Sequence, residues 1–195
     1  LASVSEYYFS KKLKEVAQMN AEGKDVISLG IGSPDMPPSD SAIQTLCTEA
    51  KNPDGHGYMP YTGIPELRRS FAGWYKRWYD VELDPNTEIQ PLIGSKEGIL
   101  HVTLAFVNPG DQVLVPNPGY PTYTSLSKIL GAEVVNYNLK EENGWMPDFE
   151  ELERMDMSRV KLMWTNYPNM PTGANATPEL YQKLVDLARR KDIII

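Results

Sequence analysis

The segment at residues 160–173, VKLMWTNYPNMPTG, limits the possible folds of this chain more than any other. Residues 160–164 form a short apolar run with the length and composition of a strand that is buried on both faces. The prolines and the glycine that follow end the strand, because proline lacks a backbone donor and glycine favours a positive φ. Thr177 and Pro178 then supply an N-cap and a first residue for a helix. This order predicts the ligand-binding edge of an open parallel sheet, although an ordinary Pro-rich connection would account for the segment equally well.

Composition excludes several classes of protein. The chain has 195 residues and a formal net charge of −7, with no basic stripe for nucleic acid and no apolar run long enough to cross a membrane. Cys47 is the only cysteine, and His56 and His101 are far apart, which argues against a disulfide and against a structural zinc site. We therefore expect no metal, no nucleic-acid or membrane partner, no signal peptide and a cytoplasmic protein.

Strand and helix patterns alternate along most of the chain. This alternation predicts an α/β fold with a mainly parallel sheet between two helical layers, a three-layer αβα arrangement, preceded by an N-terminal helical arm. The predicted helices are residues 5–22, 39–50, 65–79, 95–107, 123–130, 147–155 and 178–190, and the predicted strands are residues 88–93, 112–115, 133–139, 160–164 and 193–195.

Two loops between predicted strands and helices have the chemistry of a binding site. Gly94, Ser95 and Lys96 precede a helix, where free N–H groups and the helix dipole favour a phosphate; the alternative is that Ser95 only caps the helix. Tyr120 stands between two prolines and could form the wall of a flat-ring pocket, or could be an ordinary packing residue. A third glycine-containing segment, at residues 30–35, lacks the last glycine of a dinucleotide fingerprint and runs into two prolines instead of a helix. A phosphate cup and a ring on one sheet edge suit a flat, phosphorylated, aromatic cofactor.

In this combination, the sequence resembles the class I/II aminotransferases, the fold-type I enzymes that depend on pyridoxal 5'-phosphate. The resemblance covers most of the chain, in the order SLGIGSPD (28–35), YMP (58–60), GIPELR (63–68), GSKE (94–97), PGYPTY (118–123) and PNMPTG (168–173). It implies that the chain is the N-terminal part of such an enzyme. Residues 1–38 would be the arm and the substrate-loop segment, and residues 39–195 an incomplete large domain of the pyridoxal-phosphate-dependent transferase fold.

The resemblance also implies roles for individual residues. Gly94, Ser95 and Lys96 would bind the cofactor phosphate, and Tyr120 would stack on the pyridine ring. Gly32 would contact the substrate carboxylate through its backbone. Tyr58 would reach the phosphate in the neighbouring subunit, which would make a homodimer part of the active site.

One position departs from the family pattern. The family usually has asparagine immediately before Pro-Thr-Gly, where its amide binds the phenolic oxygen of the cofactor, but this chain has Met170, whose thioether cannot donate a hydrogen bond. The loss of that bond would cost about 1.5–3 kcal/mol. Asn169 or Asn166 could replace the donor, and of the two we predict Asn169.

The resemblance places the catalytic lysine, which forms the Schiff base, beyond Ile195. No residue of this chain is then expected to be catalytic, since Lys96 belongs to the phosphate cup, and the chain alone is expected to be inactive. A start without methionine and an end inside a predicted strand fit a piece of a longer enzyme. In such a piece, the strand at residues 88–93 would lose both of its neighbours.

Three functions remain open from the sequence. The first is transfer of an amino group between an amino acid and a 2-oxo acid. The second is a carbon–sulfur lyase on the same scaffold, and the third is a non-catalytic interaction or regulatory domain. Nothing in the sequence defines the side chain of the substrate.

Overall fold

The computed structural model describes residues 8–30, 32 and 34–195 of the chain. These residues form two compact units, one within residues 6–91 and the other at residues 92–195. The first residues of the predicted helix at 5–22 lie outside the described residues, as do Ile31 and Ser33 of the SLGIGSPD motif. The predicted division at residue 38 between an arm and a domain stays a prediction.

The regular secondary structure in the described residues of the N-terminal unit is helical. Its helices are α1 (Tyr8–Ala21), α2 (Asp40–Glu49) and α3 (Pro65–Tyr79), with a 3₁₀ turn at Pro53–His56. Helix α2 begins after Ser39, whose hydroxyl accepts the backbone N–H of Ala42, as expected of an N-cap. Helix α3 begins with a proline at its first turn and ends where Asp80 adopts the left-handed conformation.

The prediction of a strand at residues 88–93 is wrong. This segment pairs with no strand in the described part of the chain. A strand needs a neighbour for its backbone groups, and Pro91 has no N–H to offer. The N–H of Ile93 instead binds the side-chain carboxylate of Glu97, and the Ile93 side chain is 95% exposed.

The C-terminal unit alternates strands and helices. Its elements are α4 (Ser95–Phe106), β1 (Gln112–Asn117), α5 (Pro121–Ile129), β2 (Glu133–Asn138), α6 (Phe149–Arg154), β3 (Val160–Met163) and α7 (Pro178–Lys191), with a 3₁₀ turn at Glu141–Asn143. The strands form a parallel sheet with the order β2-β1-β3. On the other edge of β3, an isolated parallel bridge joins Leu162 to Ile194, so pairing begins where the sequence predicts its last strand.

Helices cover both faces of this sheet, which confirms the three-layer αβα arrangement. On one face, α4 and α5 pack through Ile99 and Tyr123 against Val113, Val115 and Leu162. On the other face, α6 and α7 complete a second core. The buried residues of that core are Leu114, Tyr137, Leu139, Leu152, Met157, Val160, Met163, Leu180, Leu184, Leu187 and Ile193.

A β-bulge in β3 distributes its side chains between the two cores. Gln112 pairs with Val160, but the next residue of β1 pairs with Leu162, so Lys161 is the extra residue and is exposed. Val160 and Leu162 consequently belong to opposite cores, although they are two residues apart. The bulge is why this strand can be buried on both faces and still have a lysine in its middle.

Candidate functional site

The N-terminus of α4 has the features of an anion site. Gly94 is the N-cap, with φ of 88°, and makes no side-chain cap hydrogen bond. Ser95 is therefore the first helical residue and not the cap, contrary to the simpler alternative. Gly94, Ser95 and Lys96 are all exposed. The first N–H groups of the helix and the positive end of its dipole can thus meet a ligand phosphate.

Lys96 connects this helix start to the loop that follows β1. Its Nζ lies 6.0 Å from the centroid of the Tyr120 ring, within the range of a cation–π contact. Tyr120 is half-buried and precedes α5. The structure therefore brings together the two loops that the sequence selects for phosphate and ring binding.

Gly119 sets the course of the backbone that leads to Tyr120. A Cβ atom at this position would lie 2.4 Å from the carbonyl oxygen of Pro116 and 2.7 Å from its Cγ. Such distances are well inside van der Waals contact. Only glycine fits there without a shift of the loop.

Tyr120 is part of an aromatic column that the sequence did not indicate. Its ring is perpendicular to that of Tyr123, with centroids 5.6 Å apart and an angle of 87°. The Tyr123 ring stacks on Trp164, with centroids 5.0 Å apart and an angle of 9°. Burial raises the pKa of the Tyr123 hydroxyl, and the nearby Tyr120 adds to this effect. A tyrosine three residues after Tyr120, in the first turn of α5, was the only signal for this arrangement.

The loop after β3 is organised around Asn169, which is 3% exposed. Its Oδ1 accepts a hydrogen bond from the Thr172 hydroxyl at 2.7 Å, and its backbone N–H donates to the carbonyl of Ala174, also at 2.7 Å. Its Nδ2 is buried and has no hydrogen-bond partner. A buried amide donor without a partner costs free energy, which a ligand acceptor would recover.

Met170 and Asn166 are less suitable than Asn169 as donors of a hydrogen bond to a ligand. Met170 is 45% exposed, and its thioether offers no donor. Asn166 accepts the Met170 N–H through Oδ1 at 3.1 Å, which leaves its Nδ2 as a donor, but its side chain is less buried than that of Asn169. Asn169 therefore stays the predicted replacement for the missing asparagine.

A buried tyrosine, Tyr137, and a half-buried one, Tyr167, donate hydrogen bonds to backbone carbonyls near this loop. The Tyr137 hydroxyl donates to the carbonyl of Trp164 at 2.7 Å, and burial raises its pKa well above the usual value. The Tyr167 hydroxyl donates to the carbonyl of Trp145 at 2.9 Å, and burial raises its pKa to about 12. Both hydroxyls are thus protonated donors at neutral pH.

Gly32 and Tyr58 lie in the N-terminal unit, and both are exposed. The predicted contacts of Gly32 with substrate and of Tyr58 with a neighbouring subunit stay predictions. Within the described ranges, no group of three or more histidine, cysteine or acidic side chains is placed to hold a metal ion. Nor does any helix there have both the length and the apolar character needed to span a bilayer.

Taken together, these residues fit a flat phosphorylated ring: an uncapped helix start for phosphate, an aromatic side chain beside it, and an unpartnered amide for a ring oxygen. The fold and this chemistry are those of the pyridoxal-phosphate-dependent transferases of fold type I. The sequence profile of the family "Aminotransferase class I and II" matches residues 24–195. The chain belongs to this family.

Curated relatives agree with this assignment. The chain is 46% identical over 195 residues to the LL-diaminopimelate aminotransferase of Maridesulfovibrio salexigens, covering 100% of this chain and 50% of that enzyme. It is 45% identical over 189 residues to the enzyme of the same name from Aquifex aeolicus, covering 97% and 49%. The chain thus spans about half the length of the curated relatives that it matches.

Solved structures agree as well. Substrate-bound BacF from Bacillus subtilis superposes with a TM-score of 0.88 at 39% identity, covering 98% of this chain and 49% of BacF. Alanine aminotransferase from Pyrococcus furiosus gives a TM-score of 0.89 at 30% identity, covering 99% and 50%. The chain therefore has the fold of about half of each of these proteins.

Proposed function

We propose that this chain provides the phosphate and ring-binding half of a pyridoxal-phosphate-dependent aminotransferase, which moves an amino group between an amino acid and a 2-oxo acid. The observation that carries this proposal is the contact between Lys96 and Tyr120. It joins a helix start that has no side-chain cap to an aromatic ring at one edge of the sheet. Membership of the aminotransferase family supports the reaction type.

The residues divide the binding between phosphate and ring. The N–H groups at the start of α4, with the Ser95 hydroxyl and the Lys96 ammonium, bind and orient the phosphate. Tyr120 would hold the pyridine ring, and the unpartnered Nδ2 of Asn169 would donate to the phenolic oxygen. When bound, pyridoxal phosphate supplies the electron sink that makes a proton on the amino-acid carbon removable. We assign no lysine of this chain to the removal of that proton.

The substrate that we propose is LL-diaminopimelate. The support is the name shared by relatives that are 41–46% identical to this chain over nearly its whole length. We also propose a homodimer, in which the fully exposed Tyr58 reaches the phosphate site of the second subunit, and a cytoplasmic location.

Cofactor binding is the first test. The 195-residue chain is titrated with pyridoxal phosphate and followed by the absorbance and induced circular dichroism of the cofactor. Saturable binding is expected, with inorganic phosphate as a competitor. Borohydride reduction is expected to label no single lysine. Failure of the folded chain to bind pyridoxal phosphate would contradict the proposal.

Substrate choice requires a complete enzyme. A chimera is made in which this chain replaces the matching residues of the Maridesulfovibrio salexigens enzyme, and transfer of the amino group from LL-diaminopimelate to a 2-oxo acid is measured. Activity is expected for the chimera, and a strong loss for the same chimera with Tyr120→Leu. A folded chimera that binds the cofactor but prefers another amino acid would overturn the substrate, and not the reaction type.

A further inference from the structure

The ring plane of Tyr120 is not fixed by its own backbone. Tyr120 is in a loop, and the χ2 torsion of an aromatic residue has a broad energy well. A ring that binds flat against a cofactor must nevertheless keep one orientation before binding. Otherwise the lost freedom reduces the affinity.

The aromatic column provides a physical link from this ring to the sheet. Tyr120 meets Tyr123 at 87°, and Tyr123 lies parallel to Trp164 at 9°. These are the perpendicular and stacked arrangements that aromatic pairs favour. A rotation of the Tyr120 ring would break the first contact, and a rotation of Tyr123 would break both.

Trp164 joins the column to the sheet, because its side chain packs against the core on the α4 and α5 face. Its backbone N–H donates to the carbonyl of Leu114 in β1 at 2.9 Å, and its carbonyl accepts the Tyr137 hydroxyl at 2.7 Å. The column therefore connects the end of β3, the first turn of α5 and the loop after β1.

We infer that Tyr123 and Trp164 are positioning residues that set the ring plane of Tyr120 through aromatic contacts. The functional value of orienting this ring rests on the proposed function, in which Tyr120 holds the pyridine ring of the cofactor. Neither Tyr123 nor Trp164 is assigned a contact with cofactor or substrate. They act on the ligand only through Tyr120.

The ring itself is tested without any cofactor. The full 195-residue chain is labelled with 3-fluorotyrosine, and the ¹⁹F resonance of Tyr120 is assigned from its loss in Tyr120→Phe. Trp164→Leu is expected to shift and broaden this resonance, whereas Trp164→Phe, which keeps a flat ring, is expected to leave it close to its original position. Trp145→Leu is the matched control, because Trp145 packs on the core at the other face of the sheet.

Two results of this measurement would overturn the inference. One is an unchanged Tyr120 resonance in folded Trp164→Leu. The other is an equal change in Trp145→Leu, which would mean that loss of any core tryptophan disturbs the loop.

A second measurement separates positioning from general stability. Trp164→Leu is expected to weaken pyridoxal phosphate binding about 2- to 10-fold, from the usual strength of an aromatic pair. In a Tyr120→Leu background the same change is expected to have no further effect. The affinity for inorganic phosphate, measured by competition, is expected to be the same in all of these variants. An equal loss in both backgrounds would refute the inference.

Failure of the proposed function gives a different result. If the unmodified chain binds no pyridoxal phosphate, the proposed function fails, while the ¹⁹F comparison of Trp164→Leu with Trp164→Phe still decides whether the column orients Tyr120.

Discussion

The hydroxyl of Thr172 donates a hydrogen bond of 2.7 Å to Oδ1 of Asn169, the most buried polar side chain of the loop after β3. This bond fixes the amide of Asn169 so that its Nδ2 is left for another acceptor. The backbone of Asn169 is held as well, since its carbonyl accepts the N–H of Gly173 at 2.6 Å. The short loop is thus closed on itself around one side chain.

Replacing Thr172 by valine is expected to destabilise the chain. Valine has nearly the shape of threonine but leaves the buried Oδ1 of Asn169 without its short hydrogen bond, at a cost of about 1–3 kcal/mol. Urea unfolding measures the change. Thr48→Val is the control, because Thr48 is exposed and its loss is expected to change the free energy of unfolding by no more than about 0.5 kcal/mol. Equal effects of the two changes would contradict the role of the bond.

Replacing Asn169 by alanine is expected to weaken pyridoxal phosphate binding beyond any loss of stability. The variant removes the one buried amide donor without a partner in this loop, and a hydrogen bond to a charged oxygen is worth about 1.5–3 kcal/mol. Titration of the folded variant with the cofactor measures the effect. Met170→Leu is the control and is expected to bind normally. A loss of affinity in Met170→Leu but not in Asn169→Ala would mean that the contact does not belong to Asn169.

Replacing Lys96 by glutamine is expected to weaken pyridoxal phosphate binding and to reduce its dependence on ionic strength. The ammonium would no longer attract the phosphate, an interaction that salt screens. Cofactor titrations at low and high salt measure both effects. Lys128→Gln, in the last turn of α5, is the matched control and is expected to keep the salt dependence of the unmodified chain.

Replacing Gly119 by alanine is expected to destabilise the chain by about 1–3 kcal/mol, because the new Cβ would overlap the Pro116 carbonyl. Since Tyr120 is the next residue, cofactor affinity is expected to fall as well. Gly73→Ala in α3 is the control: nothing lies within 4 Å of the new Cβ, and alanine is the better helix former. Thermal unfolding distinguishes the two, and a stabilised Gly119→Ala variant would show that the loop adapts without cost.

Alkaline pH is expected to destabilise the chain through Tyr167. Its pKa is raised to about 12 in the folded chain, whereas it is about 10 in the unfolded chain. The unfolded chain therefore releases this proton first, so the stability contributed by the half-buried Tyr167 hydroxyl is complete below pH 10 and is lost as pH rises towards 12. Urea midpoints between pH 9 and about 11.5 are expected to fall less steeply in Tyr167→Phe. Tyr58→Phe is expected to match the unmodified chain, because Tyr58 is fully exposed.

Helix positions were largely predictable from the sequence, since their signals are local. Pro65 and Asp80 mark the observed ends of α3, and Thr177 caps α7 through a hydrogen bond to the Leu180 N–H at 3.2 Å. Strand positions were less predictable, because a strand depends on a distant partner. The segment at 88–93 has none, whereas β1 extends through Pro116 and Asn117, which pair with Tyr137 and Asn138 in β2.

Part of the candidate site could be predicted from the sequence. Gly94, Lys96 and Tyr120 stood out because their loops combine glycine, proline and polar residues. The roles of Tyr123 and Trp164 could not be foreseen. They are 41 residues apart in sequence, and only the parallel pairing of β1 with β3 brings the two rings into contact.

The bulge at Lys161 lets β3 carry an exposed residue without disturbing the two cores. Val160 and Met163 belong to the layer of α6 and α7, and Leu162 between them belongs to the layer of α4 and α5. Consecutive residues of a regular strand alternate in the same way, so deleting Lys161 would keep all three side chains on their present faces. Over evolutionary time, the strand could therefore exchange or lose this one position while both helical layers keep their packing.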